Sequence, residues 1–230
     1  MFADRRQAGI ELGKELAKHG LHSPVVLALP RGGVPVAAEV AAMLRAPLEV
    51  LIVRKVGAPD NPELAAAALV AGDPDDIVLN NEIVEAYRLT DSDLRALINR
   101  ERPELKRRVA LYIGNRRRVP VANKTAIIVD DGMATGTTAR AAIRALRRRG
   151  PAKIVLALPV APKEVIDDLK LEADLVVCLR QEEHFRALSL HYVNFEQVSD
   201  EEVIVSLNKA DASYRAAHPL KRARRRIELN

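Results

Sequence analysis

Asp130 and Asp131 close the apolar run Ile127 to Val129, and Ala134, Thr135, Gly136, Thr137 and Thr138 follow within a few residues. Two carboxylates beside a small, hydroxyl-rich, glycine-containing turn can do two kinds of chemistry at once. The amides of Ala134 to Thr138, helped by the dipole of the helix they open and by the three threonine hydroxyls, can converge on a phosphate, and Gly136 permits close backbone approach. The carboxylates would repel that phosphate but suit the hydroxyls of a ribose or a hydrated Mg²⁺. A sugar phosphate satisfies both halves. Other phosphate motifs fit poorly. A Walker A loop needs a Lys after its second glycine and one more residue than Gly132 to Gly136 provides, and a D-x-D-G-T phosphatase motif would need an acid where Val129 stands.

Two further segments carry chemistry. P-R-G-G at 30–33 follows the apolar run Val25 to Leu29, where Gly32 and Gly33 allow unusual backbone geometry and Arg31 adds a cation. Alone it also reads as an ordinary strand-to-helix turn. V-R-K-V-G-A-P at 53–59 brings Arg54 and Lys55 after a second apolar run, and a solvated cationic loop is its alternative reading.

The elements that must position these segments are strands buried on both faces, alternating with helices. The patterning predicts helices over 3–19, 35–45, 90–113 (with Thr90/Asp93 as a capping box and a break or new first turn at Pro103), 138–149, 165–169 and 199–217 (capped by Ser199 and Glu202). It predicts strands over 25–29, 48–53, 125–129, 154–158 and 175–179, with more extended chain at 64–71 and 77–79, and a loop over 55–62. The fold class is α/β, a parallel sheet with helices on both faces and a helical C-terminal excursion. In such sheets ligands bind beyond the carboxyl ends of the strands, where all three segments sit.

The segment I-I-V-D-D-G-M-A-T-G-T-T resembles the ribose-phosphate signature of type I phosphoribosyltransferases: an apolar strand, two acids, two variable residues, then [A/T]-T-G-x-T. P-R-G-G resembles the family's diphosphate-binding turn, and V-R-K resembles the start of the mobile basic loop in adenine and orotate enzymes. The similarity covers about 25–179. Uncharacterised bacterial members also share features resembling H-F-R-A-L-S-L-H-Y-V-N-F at 184–195. The resemblance implies a single domain over 1–217, with a core at 25–179 and a hood at 180–217. It further implies transfer of phosphoribosyl from 5-phosphoribosyl-1-pyrophosphate (PRPP) to a nucleobase-like acceptor, as in nucleotide salvage, with Mg²⁺ as cofactor. The roles it implies are Asp130, Asp131 and Lys55 in catalysis, the two aspartates also meeting the metal through water, and Arg31, Gly32, Gly33, Arg54 and Ala134 to Thr138 in donor binding. The 6-oxopurine enzymes carry an Asp where this chain has Ala134, so hypoxanthine or guanine is disfavoured as acceptor. Phe185 could cover a base, although Phe185, Tyr192 and Phe195 also read as packing residues. A regulator that senses PRPP or a nucleotide, with little transferase activity, and an interaction scaffold with a vestigial site remain open.

Bulk properties agree. The 230 residues are 48% hydrophobic but only 3% aromatic, so the core must be aliphatic. No apolar run is long enough to cross a bilayer and the N-terminus lacks a signal-peptide core, so a soluble cytoplasmic protein is expected. The single Cys178 lies in an apolar run and reads as core, and the five histidines lack metal-site spacing. The net charge of +5 is concentrated in the last ten residues, which carry a net +4. That basic tail, 218–230, is either solvated or the one candidate for contact with nucleic acid. Homo-oligomerisation is left open.

Overall fold

The computed structural model describes residues 1–72, 74–114, 116 and 118–218, so the basic tail lies outside the described residues from 219 onward. Five strands form a parallel sheet in the order β2 (Leu48–Val50), β1 (Pro24–Ala28), β6 (Thr125–Val129), β7 (Lys153–Pro162) and β8 (Leu175–Glu182). The near-continuous apolar sequences of β1, β6 and β7 follow from burial on both faces, whereas the edge strands β2 and β8 also carry polar residues. Alternate residues point to opposite sides. Val26, Ala28, Ile127, Val129, Val155 and Ala157 join one core with residues of α1 (Arg5–Ala17), α2 (Gly33–Leu44) and α7 (Asp200–Ala217). Val25, Leu27, Ala126, Ile128, Ile154 and Leu156 join a second with α5 (Thr137–Arg147) and α6 (Lys163–Leu169). Close packing of α1 on α2 depends on Gly9, where a Cβ would stand 2.5 Å from the Val36 carbonyl oxygen.

A second sheet corrects part of the sequence reading. The stretch read as one strand, 48–53, divides: after β2, Leu51 and Ile52 cross out of the parallel sheet, and Ile52 accepts from the Ala71 amide at 2.9 Å. The expected loop over 55–62 is a hairpin of β3 (Val53–Ala58) and β4 (Asn61–Val70), which β5 (Asp76–Leu79) extends into a three-stranded antiparallel sheet. Gly57 makes the hairpin practicable, because the strands approach so closely there that a Cβ would meet the Pro62 backbone at 2.6 Å. Strand pairing thus supplies partners for backbone groups that a loop would leave to water.

A short helix, α3 (Asn81–Ala86), then leads to α4 (Asp91–Tyr112), which packs on β3 and β4. The Thr90/Asp93 capping box is formed, and so is the Ser199/Glu202 box of α7. Pro103 does not break α4; the helix runs through it.

Candidate functional site

Register decides which loops meet. Strands β1 and β6 pair from Pro24/Thr125 to Ala28/Val129, so both chains leave the sheet at the same level. The Leu29 amide donates to the Val129 carbonyl at 2.9 Å, and the two loops then lie against each other. A Cβ on Gly32 would stand 2.1 Å from Asp131 Oδ2, and one on Gly33 would stand 2.7 Å from the Val129 carbonyl oxygen and 2.9 Å from Asp130 Cα. Glycine is required at both positions by contact with the acidic pair. The Pro30–Arg31 peptide beside them is cis.

The two aspartates occupy different environments. Asp131 is buried; its Oδ2 accepts from Arg5 Nε at 2.7 Å, and its backbone carbonyl accepts from the Tyr192 hydroxyl at 2.6 Å. Among the described residues Asp130 has no ion-pair partner, and its Oδ1 accepts from the Asp131 amide at 2.9 Å. Burial, reinforced by the charge of Asp131, holds the Asp130 carboxyl well above the usual carboxylate range. Burial likewise drives the Tyr192 hydroxyl far up, with the Asp131 charge adding to it, so it serves as a neutral donor.

The chain then turns through Gly132, at φ 140°, and Gly136, at φ 70°, into α5. Gly136 stands at the helix N-cap and provides no side-chain cap. The first-turn N–H groups of Thr137, Thr138 and Ala139 therefore lack intrahelical acceptors and face an anion-favouring dipole end. Ala134 and Thr135 are exposed, and the Thr135 and Thr137 hydroxyls lie 3.2 Å apart.

The basic residues are more dispersed than the sequence suggested. Arg31 is directed at Asp200, with Nη1 3.7 Å from Oδ1. Asp200 also accepts from the Tyr112 hydroxyl and lies 3.6 Å from Arg107. Strand geometry sends Arg54 and Lys55 to opposite faces of β3. Arg54 Nε pairs with Glu101 of α4 at 2.5 Å, whereas Lys55 is exposed on the face that carries Ala68 of β4, toward α5. Beyond Ala134 a cavity of ≈ 580 Å³ is bounded by Pro162, Lys163, His184, Phe185 and Arg186. Phe185 lines it while packing on His191, ring centroids 5.4 Å apart, so its lining and packing roles coexist.

Residues 4–187 match the profile of the phosphoribosyl transferase domain. The chain belongs to the phosphoribosyl transferase domain family. It is 43% identical over 217 residues to two Mycobacterium tuberculosis proteins, from strains CDC 1551 and H37Rv, that carry provisional phosphoribosyl transferase names. The alignment takes in 94% of this chain and 48% of theirs, so the chain spans about half the length of the curated relatives it matches. The crystal structure of TT1426 from Thermus thermophilus superposes with a TM-score of 0.80 at 41% identity, covering 90% of this chain and 98% of that one.

The matched phosphoribosyl transferase region includes Arg5, the glycine turn, the acidic pair and Ala134 to Thr138, and it ends before Tyr192, Phe195 and Asp200. Sequence reasoning missed Arg5, Tyr192 as a donor, and Asp200. Arg5 and Tyr192 are 126 and 61 residues from Asp131, and no local spacing connects them. Among the described residues no helix is long and apolar enough to cross a membrane, and no group of three or more His, Cys, Asp or Glu side chains could hold a metal.

Proposed function

We propose that this domain binds PRPP and transfers its phosphoribosyl group to a nitrogen of a nucleobase-like acceptor, releasing diphosphate. The observation that carries this reading is the contact of the Gly32–Gly33 turn with Asp130 and Asp131, immediately before an uncapped helix N-terminus. The 5′-phosphate would sit on the amides and hydroxyls of Ala134 to Thr138. Hydrogen bonds to a charged group contribute about 1.5–3 kcal/mol each, so a few suffice to anchor it. Asp130 and Asp131 would take the ribose hydroxyls, and Arg31, Gly32, Gly33 and Lys55 the diphosphate. The pairing of Arg54 with Glu101 favours Lys55 as the cation of that strand that meets the donor.

As the bond from C1′ to the diphosphate oxygen breaks, its electron pair leaves with diphosphate and positive charge develops on the ribose ring. Carboxylates already oriented beside the sugar stabilise that charge without reorganising. The basic groups and loop amides stabilise the leaving anion, and the acceptor nitrogen supplies the pair that forms the new bond. The oxygen donors of the acidic pair fit Mg²⁺ chemically, but Asp131 Oδ2 is engaged by Arg5, which supports contact from Asp130 and from water rather than a full protein cage. Bound there, the ion would neutralise diphosphate charge.

The cavity beside Ala134 supports an acceptor site edged by Phe185, Lys163 and His184. With Ala134 in place of a carboxylate, a 6-oxopurine would lack a partner for N7. Diphosphate release measured across purines, pyrimidines and other amines tests the reading: one acceptor should release diphosphate, and Asp130→Asn with Asp131→Asn should abolish release and weaken PRPP binding. Unchanged affinity and turnover in that double variant would refute the assignment. PRPP binding without release from any acceptor would mark a sensor instead.

A further inference from the structure

We propose that Arg5 is a positioning residue for the donor site, fixing Asp131 against the Gly32 turn without itself touching ligand. This inference rests on the donor reading above, but its geometry stands apart from it. The Arg5 side chain is only 12% exposed. It donates through Nε to Asp131 Oδ2 at 2.7 Å and through Nη1 to the Glu196 carbonyl at 2.8 Å, and its guanidinium carbon lies 3.9 Å from the centre of the Phe195 ring. A planar cation with several donors meets all three partners at once, which an ammonium cannot do.

The backbone that carries Arg5 is itself secured. Asp4 caps α1 by accepting from the Gln7 amide at 2.7 Å. Phe2 is wholly buried, donates its amide to the His191 carbonyl at 2.8 Å and accepts from the Val193 amide at 2.8 Å, while Ala3 accepts from Asn194 at 2.9 Å. Arg180 lies over the Phe2 ring at 4.1 Å. The start of the chain and residues 191–196 thus form one brace, and that brace ends on both acceptor groups of Asp131: its carboxylate through Arg5 and its carbonyl through Tyr192. Asp131 Oδ2 in turn faces the space where a Gly32 Cβ would be. Release of Arg5 would free the carboxylate to rotate, remove its counter-charge beside Asp130, and unsettle the glycine turn that rests on it.

The test is a cycle of Arg5→Gln, Asp131→Asn and the double variant, with Arg5→Lys alongside. Isothermal titration with PRPP and Mg²⁺ is read together with amide hydrogen exchange of the ligand-free proteins. Arg5→Gln is expected to weaken PRPP binding about tenfold, yet less than about twofold when Asp131 is already Asn, as expected for coupled groups. Arg5→Lys should fall between wild type and Arg5→Gln, because it keeps the charge and loses the planar contacts. Without ligand, exchange at residues 31–34 should accelerate in Arg5→Gln while the strands of the parallel sheet keep their protection. Unchanged exchange at 31–34, or an equal loss of affinity in both Asp131 backgrounds, would overturn the proposal. If Arg5→Gln does not fold, Arg5→Lys decides it by the same exchange measurement. Wild-type protein that fails to bind PRPP would refute the donor reading, whereas the exchange result would still judge the brace.

Discussion

Asp130→Asn is expected to make the ligand-free protein more stable while removing its response to PRPP. The folded Asp130 carboxyl binds its proton more tightly than it would in the unfolded chain, where its ordinary value is 3.8, because burial and the Asp131 charge oppose ionisation. Its contribution to stability is therefore complete below that ordinary value and is lost as pH rises through the raised folded value. Once both carboxyls ionise they repel, and unit charges at an illustrative ~4 Å would do so by roughly 4 kcal/mol at an effective dielectric constant of ~20. Arg5, at 2.7 Å from Asp131, offsets much of this. An asparagine keeps an oxygen for the Asp131 amide and discards the charge, so a gain of about 1–2 kcal/mol is reasonable for this kind of site. In a chain of 230 residues that corresponds to a rise in Tm of about 2–8 °C. Thermal unfolding from pH 4 to 8, with and without PRPP and Mg²⁺, is the assay. The gain should be near zero at the acid end and grow with pH, and PRPP should stabilise wild type only. A variant less stable than wild type at pH 7, or one that PRPP stabilises equally, would rule out repulsion between the two carboxyls as the source of the effect.

Four other outcomes follow from the geometry. Gly32→Ala places a methyl group 2.1 Å from Asp131 Oδ2, and should cost about 1–3 kcal/mol in urea unfolding and abolish PRPP-induced stabilisation. Gly20→Ala, with nothing within 4 Å but a φ of 57°, is the control: it should cost about 1 kcal/mol and leave PRPP binding intact. Burial pushes the Cys178 thiol up to about 11, so iodoacetamide should label it slowly at pH 8 in the native protein and rapidly in denaturant; fast native labelling would contradict the placement. Pro103 is exposed within a continuous α4, and Pro103→Ala should stabilise by about 1–3 kcal/mol in the same urea experiment.

The parallel strands and capped helices were legible because each is specified by its own residues: Thr125 to Val129 is apolar throughout, and Thr90/Asp93 and Ser199/Glu202 lie three residues apart. The hairpin of β3 and β4 was not, since Gly57, Pro59 and Pro62 have the composition of a loop and only cross-strand pairing makes them a turn and its flanks. Within the candidate site, the meeting of the acidic pair with the glycine turn, and the loop Ala134 to Thr138 after it, could be read from short motifs that leave adjacent strands. The inequality of Asp130 and Asp131 could not. It arises from Arg5 and Tyr192, which reach Asp131 through tertiary packing alone. The same holds for Arg31 and Arg54, whose carboxylate partners Asp200 and Glu101 come from helices distant in sequence.

Isothermal titration of the wild-type chain with PRPP in the presence of Mg²⁺ asks whether the acidic pair and the loop after it form a sugar-phosphate donor site. Saturable one-to-one binding is expected, removed by Asp130→Asn with Asp131→Asn and reproduced more weakly by ribose 5-phosphate. Absence of PRPP binding by the folded wild-type protein, or binding that persists undiminished in the double variant, would contradict it.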